Sequence, residues 1–165
     1  MEKVSFADMP CSMANTLDII GEWWSLLIIR DIFIGINRFN SIRNHLGIAR
    51  NMLQRRLKRL EDTGIIYKSM LDNGHGEFRL TDAGVALYPI LLALANWGDE
   101  WLNEEPPNLF IHDTCGKPVN ATLVCNHCGE PLAAHNITQE PGPAMQEPEA
   151  SQLRFLIKQL KASGK

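Results

Sequence analysis

Long uninterrupted apolar runs are absent from this sequence of 165 residues. The longest ones are broken by Arg30 and Asp31 or by Pro89 and Asn96. No segment therefore supplies the ~20 consecutive apolar residues that a membrane-spanning helix requires. A targeting signal of basic, apolar and small residues is also missing ahead of the first predicted helix. We therefore expect a cytoplasmic protein that has no membrane partner.

Cysteine is scarce, with four residues in the chain. Cys11 stands alone, whereas Cys115, Cys125 and Cys128 lie close together in the sequence. In a reducing cytosol this spacing favours metal binding or redox chemistry over a disulfide framework. The distance between the two groups also indicates two modules.

Signatures of metal-dependent hydrolysis are missing as well. The sequence has no H-E-x-x-H motif and no set of three histidines around an open zinc position. We therefore do not expect an enzyme, and we predict no catalytic residue.

Acidic residues are absent between Arg50 and Arg59, where five basic residues occur. The wider segment from Arg38 to Lys68 contains eight Lys or Arg and two acids, which is a surplus of six positive charges. Because the whole chain carries a formal net charge of -3, the remainder has a surplus of nine negative charges. An acidic body with one basic face suits a local anionic partner such as a phosphate backbone.

Apolar periodicity predicts a mainly α-helical fold with a small β-hairpin. The predicted helices span residues 13–24, 25–33, 39–46 and the basic stretch that ends at Gly64. Two strands, residues 65–71 and 77–81, follow around a turn. Thr81 is the predicted N-cap of a last, long helix, which Pro89 should kink because proline removes a backbone hydrogen bond.

This order of elements predicts a winged helix-turn-helix domain, in which the basic helix enters the DNA major groove and the hairpin reaches an adjacent groove. At helical spacing, Leu53 shares one face of the basic helix with Ala49, Leu57 and Leu60. The opposite face and its flanks carry amides and cations, which are Asn51, Gln54, Arg55, Lys58 and Arg59.

Amide and guanidinium groups pair in bidentate fashion with adenine and guanine edges, so Asn51, Gln54 and Arg55 are predicted to read bases. Phosphate contacts are predicted for Arg38, Arg43, Arg50, Lys58 and Arg59, with His75 at the hairpin tip as a further candidate. The alternative is that this charged face is only solvated, which is the usual case for a run of charges.

Several short motifs in Cys11–Trp101 occur together. They include "DIIGEWW", "RF" before the third helix, "ML-x3-L-x2-L-x3-G", "RLT-x2-G" and "P-x4-LA-x-WG". With them the chain resembles the HxlR-type branch of the MarR-like bacterial transcription regulators. The resemblance implies a homodimeric DNA-binding transcription factor whose protomers join through the first and last helices of the domain. We expect a palindromic double-stranded DNA operator to accompany such a dimer.

One position departs from the family pattern. The sequence has Ala49 where the family tends to place a serine cap, and a missing cap costs about 1 kcal/mol. The start of the basic helix is therefore the least certain of its boundaries.

Residues 112–119 (HDTCGKPV) and 125–132 (CNHCGEPL) repeat one unit: a ligand, two residues, Cys, Gly, a charged residue, Pro and an apolar residue. The gap of two residues lets both ligands face one ion. His112, Cys115, Cys125 and Cys128 are thus the predicted ligands of a structural Zn²⁺ in a zinc-ribbon-like segment. Two alternatives remain, namely His127 or His135 as the histidine ligand, and a cysteine cluster without metal.

Cys11 precedes the first predicted helix. A partly exposed thiol near a helix N-terminus is more reactive than a buried one, which makes Cys11 a candidate redox sensor. The resemblance agrees with this, because several HxlR-type regulators sense oxidants or electrophiles with a cysteine at the matching place. The alternative is an unreactive, packed cysteine.

The predicted domain plan has four parts. Residues 1–105 form the winged helix-turn-helix DNA-binding and dimerisation domain, 106–140 the zinc-ribbon-like tail, 141–150 a Pro-rich linker and 151–165 a short amphipathic helix. The favoured function is a sequence-specific DNA-binding regulator that acts as a homodimer and responds to a redox, electrophile or small-molecule signal. The alternative is a zinc-ribbon module for protein–protein interaction, with the winged domain as scaffold.

Overall fold

A computed structural model describes residues 5–71 and 76–162 of the chain, without the side chains of residues 160–162. The chain divides into two compact units, of which the first ends at Ala121 and the second begins at Thr122. The helices are α1 (Ser12–Ile20), α2 (Trp23–Phe33), α3 (Phe39–Leu46), α4 (Arg50–Asp62), α5 (Asp82–Val85), α6 (Tyr88–Trp101) and α7 (Glu149–Ala162). The strands are β1 (Ile66–Met70), β2 (Gly76–Leu80), β3 (Ile111–His112) and β4 (Lys117–Pro118).

The core of the first unit is aliphatic and joins α2, α3 and α4 to the hairpin. Its fully buried members include Ile28, Ile29, Ile42, Leu53 and Ile66. Removing such side chains from water supplies about 1.5–3 kcal/mol each, which makes this cluster the main stabilising feature of the domain.

The buried face of α4 follows the predicted stripe, with one exception. Leu53, Leu57 and Leu60 are buried, as predicted. Ala49 is exposed, so its inclusion in the stripe was wrong. The reason is its place before the helix: Ala49 is the N-cap of α4, with extended backbone and no capping side chain.

A short turn joins α3 to α4 and gives the helix-turn-helix its shape. Gly47 ends α3 in the left-handed conformation, with φ of 64°. Ile48 then buries its side chain in the core, and α4 begins at Arg50. The turn is therefore held by an apolar side chain rather than by a polar cap.

The hairpin, β1 paired with β2, agrees with the predicted strands to within one residue at each described end. The antiparallel register places Ile66 opposite Leu80 and Lys68 opposite Phe78. The N–H of Phe78 also donates to the carbonyl oxygen of Asn37 at 2.8 Å. This bond ties the hairpin to the segment that leads into α3.

The first predicted helix ends earlier than expected. A single helix over residues 13–24 was wrong, because α1 stops at Ile20 and a new helix, α2, starts at Trp23. A Cβ on Gly21 would lie 2.4 Å from the carbonyl oxygen of Leu17. The chain therefore changes direction at Gly21, where only hydrogen fits.

The last part of the domain also differs from its prediction. The kinked helix was wrong, because α5 ends at Val85 and α6 starts separately at Tyr88. Pro89 lies in the first turn of α6. Backbone N–H groups have no partner within the helix there, so proline starts this helix instead of bending it. The Thr81 N-cap is confirmed, since its Oγ1 accepts from the N–H of Gly84 at 3.1 Å.

Helix α6 contains no buried residue despite its apolar sequence. Trp97 and Trp101 are 56% and 66% exposed, so neither belongs to the core of the protomer. Trp24, by contrast, packs against the core. No helix among the described residues is long and apolar enough to cross a membrane.

The second unit contains one isolated bridge, between Val124 and Pro131, and the helix α7. The helix predicted over residues 151–165 begins at Glu149, two residues earlier than expected. The predicted domain boundaries stay predictions.

Candidate nucleic-acid interface

The outer face of α4 and the hairpin line one shallow groove. Six predicted contact residues reach it: Arg50, Asn51, Gln54, Arg55, Lys58 and Arg59. The aromatic rings of Phe39 and Phe78 lie between these polar groups and form part of the same lining. The fold therefore gathers the amides and cations of α4 on one side of the domain.

The three predicted base readers are exposed on α4. Asn51 and Gln54 make no side-chain hydrogen bond to any other described residue. The Nη2 of Arg55 lies 3.8 Å from the sulfur of Met52, which is a weak acceptor. Their donors and acceptors are thus accessible for a ligand.

Three other cations of α4 have carboxylate partners. Arg59 donates to Asp18 at 2.8 Å, Arg56 donates to Glu22 at 2.7 Å, and Lys58 pairs with Asp62 one helical turn later. The hydrogen bond from Lys58 to Asp62 raises the pKa of the lysine, with their charge attraction as the second cause.

Exposure separates these pairs into two kinds. Arg56 is 19% exposed and joins α4 to the α1–α2 connection, so it serves the fold. The side chains of Lys58 and Arg59 are 69% and 46% exposed. Both can exchange a carboxylate for a phosphate, although Arg59 would give up its bond to a nearly buried Asp18.

The remaining predicted contacts occupy different positions. The guanidinium of Arg50 lies over the ring of Phe39, 5.5 Å from its centroid. Arg38 is the exposed N-cap residue of α3. Arg43 donates to its neighbour Asn44 at 3.1 Å. Arg38 and Arg43 do not line the groove. His75 lies outside the described residues.

Lys68 is a groove residue that the sequence did not predict as a contact. It is exposed on β1 and lines the groove with the cations of α4. A single lysine in a strand gives no signal by itself. Its role depends on the hairpin register, which sets the side of the sheet that faces α4.

Asp31 is a second residue whose role was not predicted. Its side chain is fully buried, and its Oδ2 lies 2.8 Å from Nδ1 of His45 on α3. Its Oδ1 accepts from Nη2 of Arg30 at 2.7 Å. This carboxylate connects α2 to α3 and so helps to orient the helix-turn-helix. Its only signal in the sequence is an acid inside an apolar run.

The predicted metal ligands lie in two tight turns, one in each unit. In the first turn, Nδ1 of His112 lies 3.3 Å from the sulfur of Cys115. In the second, the backbone N–H groups of Cys128 and His127 donate to the sulfur of Cys125 and lower its pKa, and the Cys128 side chain adds to this effect. Each turn thus places its own pair of predicted ligands close together. No group of three or more potential ligands occurs in the described part of the chain.

The thiol of Cys11 is exposed, and its residue is the N-cap of α1. The alternative of a cysteine packed inside the protomer was therefore wrong. Asn15 donates its backbone N–H to the carbonyl oxygen of Cys11 at 3.0 Å, so the thiol stands at the first turn of this helix.

The fold and this surface define a helix-turn-helix transcriptional regulator. Residues 19–106 match the family model described as HxlR-like helix-turn-helix, and the chain belongs to this family. The resemblance inferred from the sequence motifs is thereby confirmed.

Relatives extend beyond the family domain. The uncharacterized HTH-type transcriptional regulator Rv3095 of Mycobacterium tuberculosis is 41% identical over 146 residues, which cover 85% of this chain and 91% of that protein. The crystal structure of PA1607, a candidate transcription factor, has a TM-score of 0.78 at 36% identity and covers 84% of this chain and 100% of its own. The redox regulator HypR in its oxidized form has a TM-score of 0.52 at 31% identity, with coverage of 56% and 99%.

Proposed function

We propose that this regulator binds a palindromic double-stranded DNA operator as a homodimer in the cytoplasm. The observation that carries the proposal is the outer face of α4, where Asn51, Gln54 and Arg55 stand exposed beside cations in one groove. A major groove admits one α-helix, and these side chains match the edges of adenine and guanine.

Base reading and backbone holding fall to different residues in this proposal. Arg55 has no carboxylate partner among the described residues, so its guanidinium is available for a bidentate contact with guanine. Lys58 and Lys68 lie nearer the edges of the surface and suit phosphate oxygens, which position the protein without reading sequence.

Homodimerisation is supported by the apolar surface of α1 and α6. Met13 on α1 is 73% exposed, and α6 adds Leu94, Trp97 and Trp101. Large exposed apolar patches mark interaction sites. The family resemblance implies that the first and last helices join the protomers, and a second copy would cover both at once. A two-fold dimer requires a two-fold operator.

A response to oxidants is supported by the exposed Cys11 thiol and by the similarity to the redox regulator HypR. In this proposal hydrogen peroxide oxidises the Cys11 thiolate to sulfenic acid, and the second peroxide oxygen leaves as hydroxide. The test is operator affinity before and after peroxide. Cys11→Ser should abolish the difference, and an unchanged response in that variant would contradict the proposal.

The test of DNA binding uses the purified full chain and a random double-stranded DNA library. Fragments retained by the protein are sequenced, and the enriched sequences should share one motif with two-fold symmetry. The Arg55→Ala variant should lose this enrichment. Arg154→Ala is the matched control, because Arg154 is an exposed arginine on α7, outside the helix-turn-helix.

Two outcomes would overturn the proposal. Enrichment of a motif without two-fold symmetry would contradict the dimeric operator. Failure to retain any DNA, even at low salt where phosphate contacts are strongest, would instead favour the protein-interaction alternative.

A further inference from the structure

The two tight turns that contain the cysteine cluster have the same backbone pattern. In the first, the N–H of Gly116 donates to the carbonyl of His112 at 2.7 Å. In the second, the N–H of Gly129 donates to the carbonyl of Cys125 at 2.8 Å. Both glycines have positive φ, 67° and 76°, which lets the chain reverse directly after a cysteine.

The flanking backbone repeats with the same offset of thirteen residues. Ile111 pairs with Pro118 in the first turn, and Val124 pairs with Pro131 in the second. Outside these pairs, Val119 donates to Phe110 at 2.8 Å, and Leu132 donates to Leu123 at 2.9 Å. The repeat in the sequence is therefore also a repeat in backbone structure.

Apolar packing contributes little to these turns. Ile111, Leu123, Val124 and Leu132 are all between 39% and 65% exposed. A hairpin of a few residues is at best marginally stable in water without a core. Another source of stability is needed, and a bound ion is the usual one in small segments rich in cysteine.

We propose that His112, Cys115, Cys125 and Cys128 bind one structural Zn²⁺ ion, with two ligands from each turn. The first turn brings an imidazole nitrogen within 3.3 Å of a thiol, and in the second, backbone N–H groups point at the Cys125 sulfur. One nitrogen and three sulfur ligands match a tetrahedral zinc site, and four protein ligands leave no position for a substrate. The ion stabilises the segment and takes no part in DNA contact.

The repeat also selects the histidine. His112 occupies the position that Cys125 occupies thirteen residues later, with the same carbonyl acceptor role for a glycine. His127 lies between two ligands, where its backbone N–H already donates to Cys125. His135 follows the second turn and has no counterpart in the repeat.

The test measures metal content and tail order, and both are independent of DNA binding. Full-length protein purified without chelator should contain one zinc per chain by elemental mass spectrometry. Cys128→Ser and His112→Ala should lose the ion, whereas the matched control His135→Ala should keep it. Cobalt substitution should give the absorption spectrum of a tetrahedral site with thiolate ligands, and Cys128→Ser should abolish that spectrum.

A competing chelator should make residues 112–132 sensitive to protease while binding to the selected operator survives. Protein with well under one zinc per chain, prepared without chelator or oxidant, would overturn the proposal. Equal zinc loss from His135→Ala and Cys128→Ser would overturn the assignment of His112. Because these readouts do not require DNA, failure here leaves the proposed DNA binding intact.

Discussion

Asp18 of α1 accepts a hydrogen bond from Arg59 of α4, with Oδ2 and Nη2 2.8 Å apart. The other oxygen of the same carboxylate accepts from the backbone N–H of Phe6 at 3.2 Å. One nearly buried carboxylate therefore joins the N-terminal segment, the first helix and the proposed DNA-reading helix. The position of α4 depends in part on α1, which begins directly after Cys11.

We predict that Asp18 and Arg59 stabilise the fold as a coupled pair. In a double-mutant cycle with Asp18→Asn and Arg59→Gln, urea unfolding should give a coupling free energy of roughly 0.5–3 kcal/mol. Lys58→Gln with Asp62→Asn is the control cycle. Both of those side chains are at least half exposed, so their coupling should stay below about 0.5 kcal/mol. Equal coupling in the two cycles would contradict the role given to Asp18.

Arg55→Ala and Lys58→Ala should weaken DNA binding in different ways. Arg55→Ala should cost roughly 1–3 kcal/mol on the selected operator and relax base preference, because a bidentate base contact is lost. Lys58→Ala should weaken all sequences alike and reduce the slope of log affinity against log salt by about one. Fluorescence anisotropy on operator and scrambled duplexes at several salt concentrations measures both effects. Unchanged affinity and preference in Arg55→Ala would show that α4 does not read bases through this residue.

Trp97→Glu should convert the proposed dimer to a monomer. The indole is exposed on α6, and a carboxylate placed there would be desolvated against the second copy. Light scattering after gel filtration gives the mass, and circular dichroism checks that the helices persist. Phe155→Glu on α7 is the control, since Phe155 is similarly exposed, at 61%. A monomeric wild-type protein at micromolar concentration would refute the dimer.

Gly84→Ala should destabilise the domain. A Cβ at this position would lie 2.2 Å from the carbonyl oxygen of Ile65, so the backbone must shift. We expect the free energy of unfolding to fall by about 1–3 kcal/mol, as in other overpacked sites. Gly142→Ala is the control, because nothing lies within 4 Å of its added Cβ. If both variants unfold at the same urea concentration, the close approach at Gly84 has no energetic consequence.

Gly84 also gives a physical reason for the "RLT-x2-G" motif. Thr81 caps α5 through its hydroxyl, which also donates to the carbonyl of Gly64 at 2.6 Å. Three residues after Thr81, the chain passes the Ile65 carbonyl too closely for any side chain. The motif therefore fastens the end of the hairpin to the end of α4.

The sequence alone was sufficient for features that depend on neighbours along the chain. The buried face with Leu53, Leu57 and Leu60 follows from helical periodicity, and the hairpin follows from two short apolar strands around a turn. The family could be recognised for the same reason, because its motifs are short local patterns. The ligand repeat around Cys115 and Cys128 was also visible, since its spacing is local.

Tertiary structure decided what depends on residues far apart. The break at Gly21 and the separate start of α6 at Pro89 depend on the path of the chain, which helical periodicity does not report. The partners of Arg56 and Arg59 lie more than thirty residues away, so no pattern within α4 shows which cations are already paired. The burial of Asp31 beside His45 is decided in the same way, because packing between helices sets the surroundings of each side chain.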